Sequence, residues 1–133
     1  MAQSPILFDR DLLRARRARA AAFGPATFLL DRVVAELLER LSVVLRKFEF
    51  AADLGTPGDA VRRALGAVVG TVVAVDAQPG LRAEKGSLTV AADLEALPFR
   101  EGAFDLAVSA LALQFVNDLP GTLAQIRRTL KAD

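Results

Sequence analysis

The chain has 133 residues, 53% of them hydrophobic and 25% charged, and a net charge of +1. That length buries one modest core, and the composition is too apolar for a disordered chain. Cysteine and histidine are both absent, which excludes a disulfide frame, a thiol nucleophile, a histidine-based triad and a His-ligated metal site, and leaves carboxylates, hydroxyls, basic side chains or a cofactor to carry any chemistry.

The charge is unevenly distributed. Residues 1 to 48 hold nine Arg/Lys against five Asp/Glu, and the remainder holds eight against eleven. The basic part reads as a helical preface over 1–48, and residues 49–133 read as an alternating βα core, the two forming one compact domain. Asp9 or Asp11 caps a first helix through Ala22, which Gly24-Pro25 ends because proline cannot continue it. Arg10, Arg14, Arg16, Arg17 and Arg19 on this helix come with Asp9 and Asp11 and without interleaved aromatics. That pattern fits a solvated helix face better than a nucleic-acid surface, so no nucleic-acid partner is expected. A second helix is predicted from Thr27 to Lys47, with Leu30, Val33, Val34, Leu37, Leu38, Leu41, Val44 and Leu45 on one apolar stripe. Arg32, Glu36, Glu39 and Arg40 take its other side. No apolar run approaches the roughly 18 residues that a membrane span requires, so no membrane partner and a cytoplasmic location are expected.

From Glu49 the pattern changes to short β-type runs separated by helices, which predicts a parallel sheet with right-handed crossovers. The strands are expected at Glu49 to Leu54, Gly70 to Val75, Leu88 to Ala92 and Phe104 to Ala110. Helices are expected over Asp59 to Leu65 and from Leu119 or Pro120 to Leu130, the latter capped by Asp118. The connection from Asp76 to Ser87, with Pro79-Gly80 inside it, should be short and poorly helical. The run Phe50 to Gly58 closes on Asp53 and then turns through Gly55 and Gly58, the shape of a nucleotide-binding junction between strand and loop. Two further strands end on Asp76 and Asp93, so the three carboxylates are expected to converge on one cleft at a single lip of the sheet.

Several segments carry a more specific signal. They are Phe8-Asp9-Arg10, Asp93-Leu94-Glu95-Ala96-Leu97-Pro98-Phe99, Phe104-Asp105-Leu106, Leu113 to Gly121, and Ile126 to Lys131. Together they resemble the class I S-adenosylmethionine-dependent methyltransferases, nearest the branch that holds the biotin-synthesis carrier-protein methyltransferases and a complex I assembly arginine hydroxylase. The resemblance implies a Rossmann-like parallel sheet of order 3-2-1-4, incomplete here, that binds S-adenosylmethionine. It implies that Asp53 and the backbone at Gly55 and Gly58 face the amino-acid and ribose end of the cofactor. Asp76 would accept the ribose hydroxyls beside Ala77, Asp93 would take the adenine amino group, Leu94 would pack on the ring, and Ser109 would line the pocket floor.

The chain departs from the family pattern at the glycine loop. Pro57 stands at the middle glycine and supplies no N–H, while Asp59 stands at the last and adds a β-carbon and a charge that repels the cofactor's carboxylate. Weakened cofactor binding is expected. The segments beyond a Lys-Pro-Gly-Gly-like turn are also missing, which implies a C-terminally truncated piece or a degenerate relative. The fourth strand would then leave an apolar sheet edge that pairs with another copy. The functions considered are methyl transfer to a protein or small-molecule acceptor, a non-catalytic assembly scaffold, and the arginine hydroxylation of one relative, for which no residue here marks an iron site.

Overall fold

The computed structural model describes residues 5–24, 26–78 and 88–132. Its sheet has four parallel strands in the order β3-β2-β1-β4, as the resemblance implied. Strand β1 is Phe48–Leu54 and β2 is Val69–Asp76, paired from Phe48 opposite Val69 to Leu54 opposite Val75. Strand β3 is Thr89–Ala91, running beside Ala74 to Asp76, and β4 is Leu106–Val108, running beside Ala51 to Asp53. The expected Pro79-Gly80 connection lies outside the described residues.

Helix α1 spans Arg10–Phe23, with the Asp9 carboxylate accepting the Leu12 N–H at 2.9 Å. Gly24 ends it at a φ of +78°, a conformation that glycine adopts without the β-carbon penalty. Helix α2 spans Phe28–Ser42 and stops five residues short of the predicted Lys47. The Ser42 hydroxyl donates to the Glu39 carbonyl at 2.6 Å, and two β-branched valines follow. Both weaken the last turn, and the chain must reverse to start β1 at Phe48. The predicted stripe therefore packs only as far as Leu41, and Val44 and Leu45 are exposed.

Two apolar layers sandwich the sheet. On one face Leu30 and Val34 of α2 meet Ala51, Val69 and Val108, together with Val61 and Leu65 of α3, which spans Ala60–Leu65. On the other, Ala52, Leu54, Val75 and Phe104 pack under Ile126 and Leu130 around the last helix. Strand alternation explains the division, since neighbours such as Ala51 and Ala52 must point to opposite faces.

Strand β4 is shorter than the predicted Phe104 to Ala110, because the ends of that run bond elsewhere. Asp105 accepts the N–H groups of Glu49 and Phe50 at 2.8 and 3.0 Å and so pins the start of β1. Phe104 bridges in parallel to Leu130 and stacks edge-on against Phe99 at 4.9 Å. At the other end Ala110 donates to the Thr56 hydroxyl.

Helix α4, Leu119–Thr129, begins as predicted at Asp118, whose carboxylate accepts the Gly121 N–H at 3.0 Å. A β-carbon built at Gly121 collides with that same carboxylate. Alanine in place of an interior helical glycine ordinarily adds about 1 kcal/mol. Gly121→Ala should instead lower stability by about 1 kcal/mol, the loss of an N-cap, and a urea titration of both proteins reads the sign.

Candidate functional site

The carboxyl ends of the four strands open onto a cleft of about 510 Å³. That is within the range of small-molecule sites, and a parallel sheet places such sites at this end. After β1 the wall is formed by Gly55, Pro57 and Gly58, after β2 by Asp76, Ala77 and Gln78, and after β3 by Asp93, Leu94 and Glu95. Leu111, Ala112, Phe115 and Val116 close it after β4. Leu111 holds a φ of +54°, a left-handed conformation that costs a leucine about 1 kcal/mol or more.

The exit from β1 requires glycine on two counts. Gly55 adopts a φ of +70° while its N–H donates to the Val75 carbonyl at 2.8 Å. A β-carbon there would lie 2.7 Å from Leu94 Cδ1 and 3.3 Å from Ala112 Cβ. Gly58 also takes a left-handed φ, +69°, and lies against open space. Between them Thr56 is fully buried and ties the loop to Ala110.

Asp76 is only 3% exposed, at the rim of the cleft. Its Oδ1 accepts the Gln78 N–H at 3.0 Å, and Arg17 of α1 reaches its Oδ2 at 3.6 Å. Asp93 accepts the Glu95 N–H at 2.9 Å and forms an ion pair with Arg10 at 2.5 Å. Burial pushes the Asp93 carboxyl up, but the Arg10 and Glu95 hydrogen bonds and the charges of Arg10 and Arg14 outweigh it, so the group sits below the ordinary carboxylate range. The same hydrogen bond raises Arg10.

Six of the eight residues expected to contact a cofactor line this cleft, namely Gly55, Gly58, Asp76, Ala77, Asp93 and Leu94. Asp53 and Ser109 are not among its wall residues. Asp53 is 1% exposed within β1, and Ser109 donates its hydroxyl to the Leu54 carbonyl at 2.7 Å. Strand alternation turns Asp53 to the face of Ala51, so two of the three rim carboxylates meet at the cleft rather than three. Asp59 is also absent from the wall; its carboxylate pairs with Arg63 at 3.2 Å, so the repulsion expected of it is partly neutralised.

Helix α1 supplies the wall that the sequence reading assigned to solvent. Arg10, Leu13, Arg14, Arg17, Ala20 and Ala21 form one helical stripe, and all of them line the cleft. The spacing was visible, but its mixed Arg and Ala content hid it. Asn117 seats the helix, its side-chain oxygen accepting the N–H groups of Leu7 and Phe8 at 2.8 Å while Phe8 meets Phe115 edge-on at 6.0 Å. Glu95 braces the opposite wall by accepting the Asp118 N–H at 2.7 Å, and Gln125 holds the backbone of Glu95 and Leu97.

Because the folded Asp93 carboxyl is depressed, its contribution to stability is complete above about pH 4 and is lost as pH falls through its folded value. The melting temperature of Asp93→Asn should lie below that of the parent at pH 7, and the gap should shrink as pH falls below about 4. A gap that is independent of pH would contradict the ion pair.

Among the described residues no helix is long and apolar enough to cross a membrane. Residues 52–133 match the methyltransferase domain family. The human mitochondrial arginine-hydroxylase NDUFAF5 is 37% identical over 136 residues, which cover 96% of this chain and 39% of the relative. The malonyl-[acyl-carrier protein] O-methyltransferase of Gallionella capsiferriformans is 29% identical over 96% of this chain and 50% of its own. The chain therefore spans about two fifths to half the length of these relatives. Among solved structures, the methyltransferase bound to the Trm112 activator of Haloferax volcanii superposes with a TM-score of 0.68 at 23% identity, covering 92% of this chain and 55% of that one. An S-adenosyl-L-methionine-dependent methyltransferase of Methanococcus maripaludis gives 0.62 at 18% identity over 99% of this chain and 64% of that one. With its fold and its strand-end cleft in agreement with these matches, the chain belongs to the methyltransferase domain family, whose implied cofactor is S-adenosylmethionine.

Proposed function

We propose that this chain is the cofactor-binding part of a methyltransferase that acts on a protein or small-molecule acceptor. The observation that carries this reading is the pairing, on adjacent strand ends at the rim of one cleft, of a nearly buried carboxylate, Asp76, with a turn at Gly55 that has no room for a β-carbon. A carboxylate offers two acceptor oxygens to the two donors of a ribose diol. The bare backbone at Gly55 and Gly58 admits the amino-acid end of the cofactor. Ala77 and Leu94 flank the adenine, and Asp93 accepts its amino group. Asp53 and Ser109 serve beneath them, Asp53 within β1 and Ser109 just after β4, where its hydroxyl holds the Leu54 carbonyl that precedes the Gly55 turn.

S-adenosylmethionine supplies an electrophilic methyl group on a sulfonium centre. The chain's own part is alignment and the exclusion of water. Leu13, Ala20 and Ala21 of α1 provide an apolar wall opposite the strand ends. Pro57 withholds one N–H from the loop, so affinity rests mainly on Asp76. The relatives are named for carrier-protein methylation and arginine hydroxylation, and the acceptor is assigned here only to the class of proteins or small molecules. A cytoplasmic location goes with this reading, although several relatives carry "mitochondrial" in their names, and a fluorescent fusion distinguishes the two.

A scaffold that has kept the fold and lost the chemistry is the second reading, favoured by Pro57 and by the arginines that already face Asp76 and Asp93. Calorimetric titration with S-adenosylhomocysteine separates them. The parent should give heat and Asp76→Ala should bind about 10-fold to 100-fold more weakly, the range for hydrogen bonds to a charged group. No heat and no thermal shift at millimolar ligand would leave the scaffold reading standing. We also propose self-association through β4, the edge strand, whose neighbour in the sheet is β1. Sedimentation should show dimers at high concentration, and a monodisperse monomer would exclude them.

A further inference from the structure

We infer that α1 is a charge-latched lid whose arginines compete with the cofactor for the carboxylates that bind it, an inference that rests on the cofactor reading above. Both acids assigned to the cofactor are faced by a cation from the same helix. Arg17 reaches Asp76 Oδ2 at 3.6 Å and donates to the Gly55 carbonyl at 3.4 Å, so it spans the rim between the diol acceptor and the glycine turn. Arg10 pairs with Asp93 and lies 3.4 Å from Glu95. Arg10 and Arg17 are seven residues apart, two helical turns on one face.

The rest of α1 offers little competing attachment. None of its residues is buried, although it carries one wall of the cleft. Its two ends are built differently. The N-terminal end is held by the Asn117 side chain on residues 7 and 8. The C-terminal end runs into Gly24, where a left-handed φ and open space around the α-carbon provide a hinge. A diol donating to Asp76 therefore removes the charged one of Arg17's two holds and leaves only the long 3.4 Å bond to the Gly55 carbonyl, so the end of α1 that carries Arg17 pivots on the Asn117 clamp. The Asp76 carboxylate is nearly buried, so water screens its pair with Arg17 less than it would an exposed pair.

Removing a cationic wall residue should tighten the site. Arg17→Gln should bind S-adenosylhomocysteine about fivefold more tightly than the parent by calorimetry, and Arg17→Lys should return toward the parent value. In the protein without added ligand, Arg17→Gln should exchange the amide hydrogens of residues 18–23 faster, with an unchanged melting temperature reporting an intact core. Saturating the parent with S-adenosylhomocysteine should speed exchange in the same amides. Equal or weaker binding by Arg17→Gln, or unchanged exchange in α1, overturns the latch and leaves the cofactor reading in place. No heat from either protein overturns that reading and the displacement together.

Discussion

The turn at Gly55 is the constraint on which the remaining geometry depends. Here the central strand leaves the sheet in a left-handed conformation while its N–H stays bonded to the Val75 carbonyl of the neighbouring strand. The turn is packed from two sides, against Leu94 after β3 and Ala112 after β4. Three separate strand ends thus meet at one α-carbon that bears only hydrogen. A larger residue would push them apart by steric overlap alone. Thr56, buried next door, secures the same turn to β4 by accepting the Ala110 N–H, so the loop is held by backbone and by side chain.

Much of this arrangement was legible in the chain because it is written in local periods. The strands followed from short apolar runs alternating with helical ones, their order followed from the family resemblance, and Asp9 and Asp118 declared their helices by capping them. What local pattern does not carry is the competition between distant partners. Val44 and Leu45 continue the apolar spacing of α2, yet the chain needs those residues to turn back into the sheet. Phe104 and Asp105 look like strand, but one bridges to Leu130 and the other caps the start of β1. In each case a tertiary hydrogen bond or a chain reversal outweighs a propensity of a few tenths of a kcal/mol.

The site divides in the same way. Glycines and acids at strand ends announce themselves, since a sheet of this topology exposes those positions. Asp53 shows the limit of that rule, because strand alternation carries its side chain to the other face of the same strand. The arginines of α1 show the opposite limit. Their stripe becomes a wall only when Asp76 and Asp93, some sixty to eighty residues further along, are folded opposite it. A cation on a helix is ambiguous until its counter-charge is located.

The contact of Asn117 with residues 7 and 8 joins positions 110 and 109 apart in the chain. Contacts of such long range are the last to be rewarded as a polypeptide collapses, because the intervening loop must close first. Residues 7 and 8 leave the ribosome well before residue 117 and are therefore among the latest of this chain to find their seat. Until residue 117 is in place, the basic first helix has no dock, and during translation it waits in solvent with its arginines uncovered while the sheet assembles behind it.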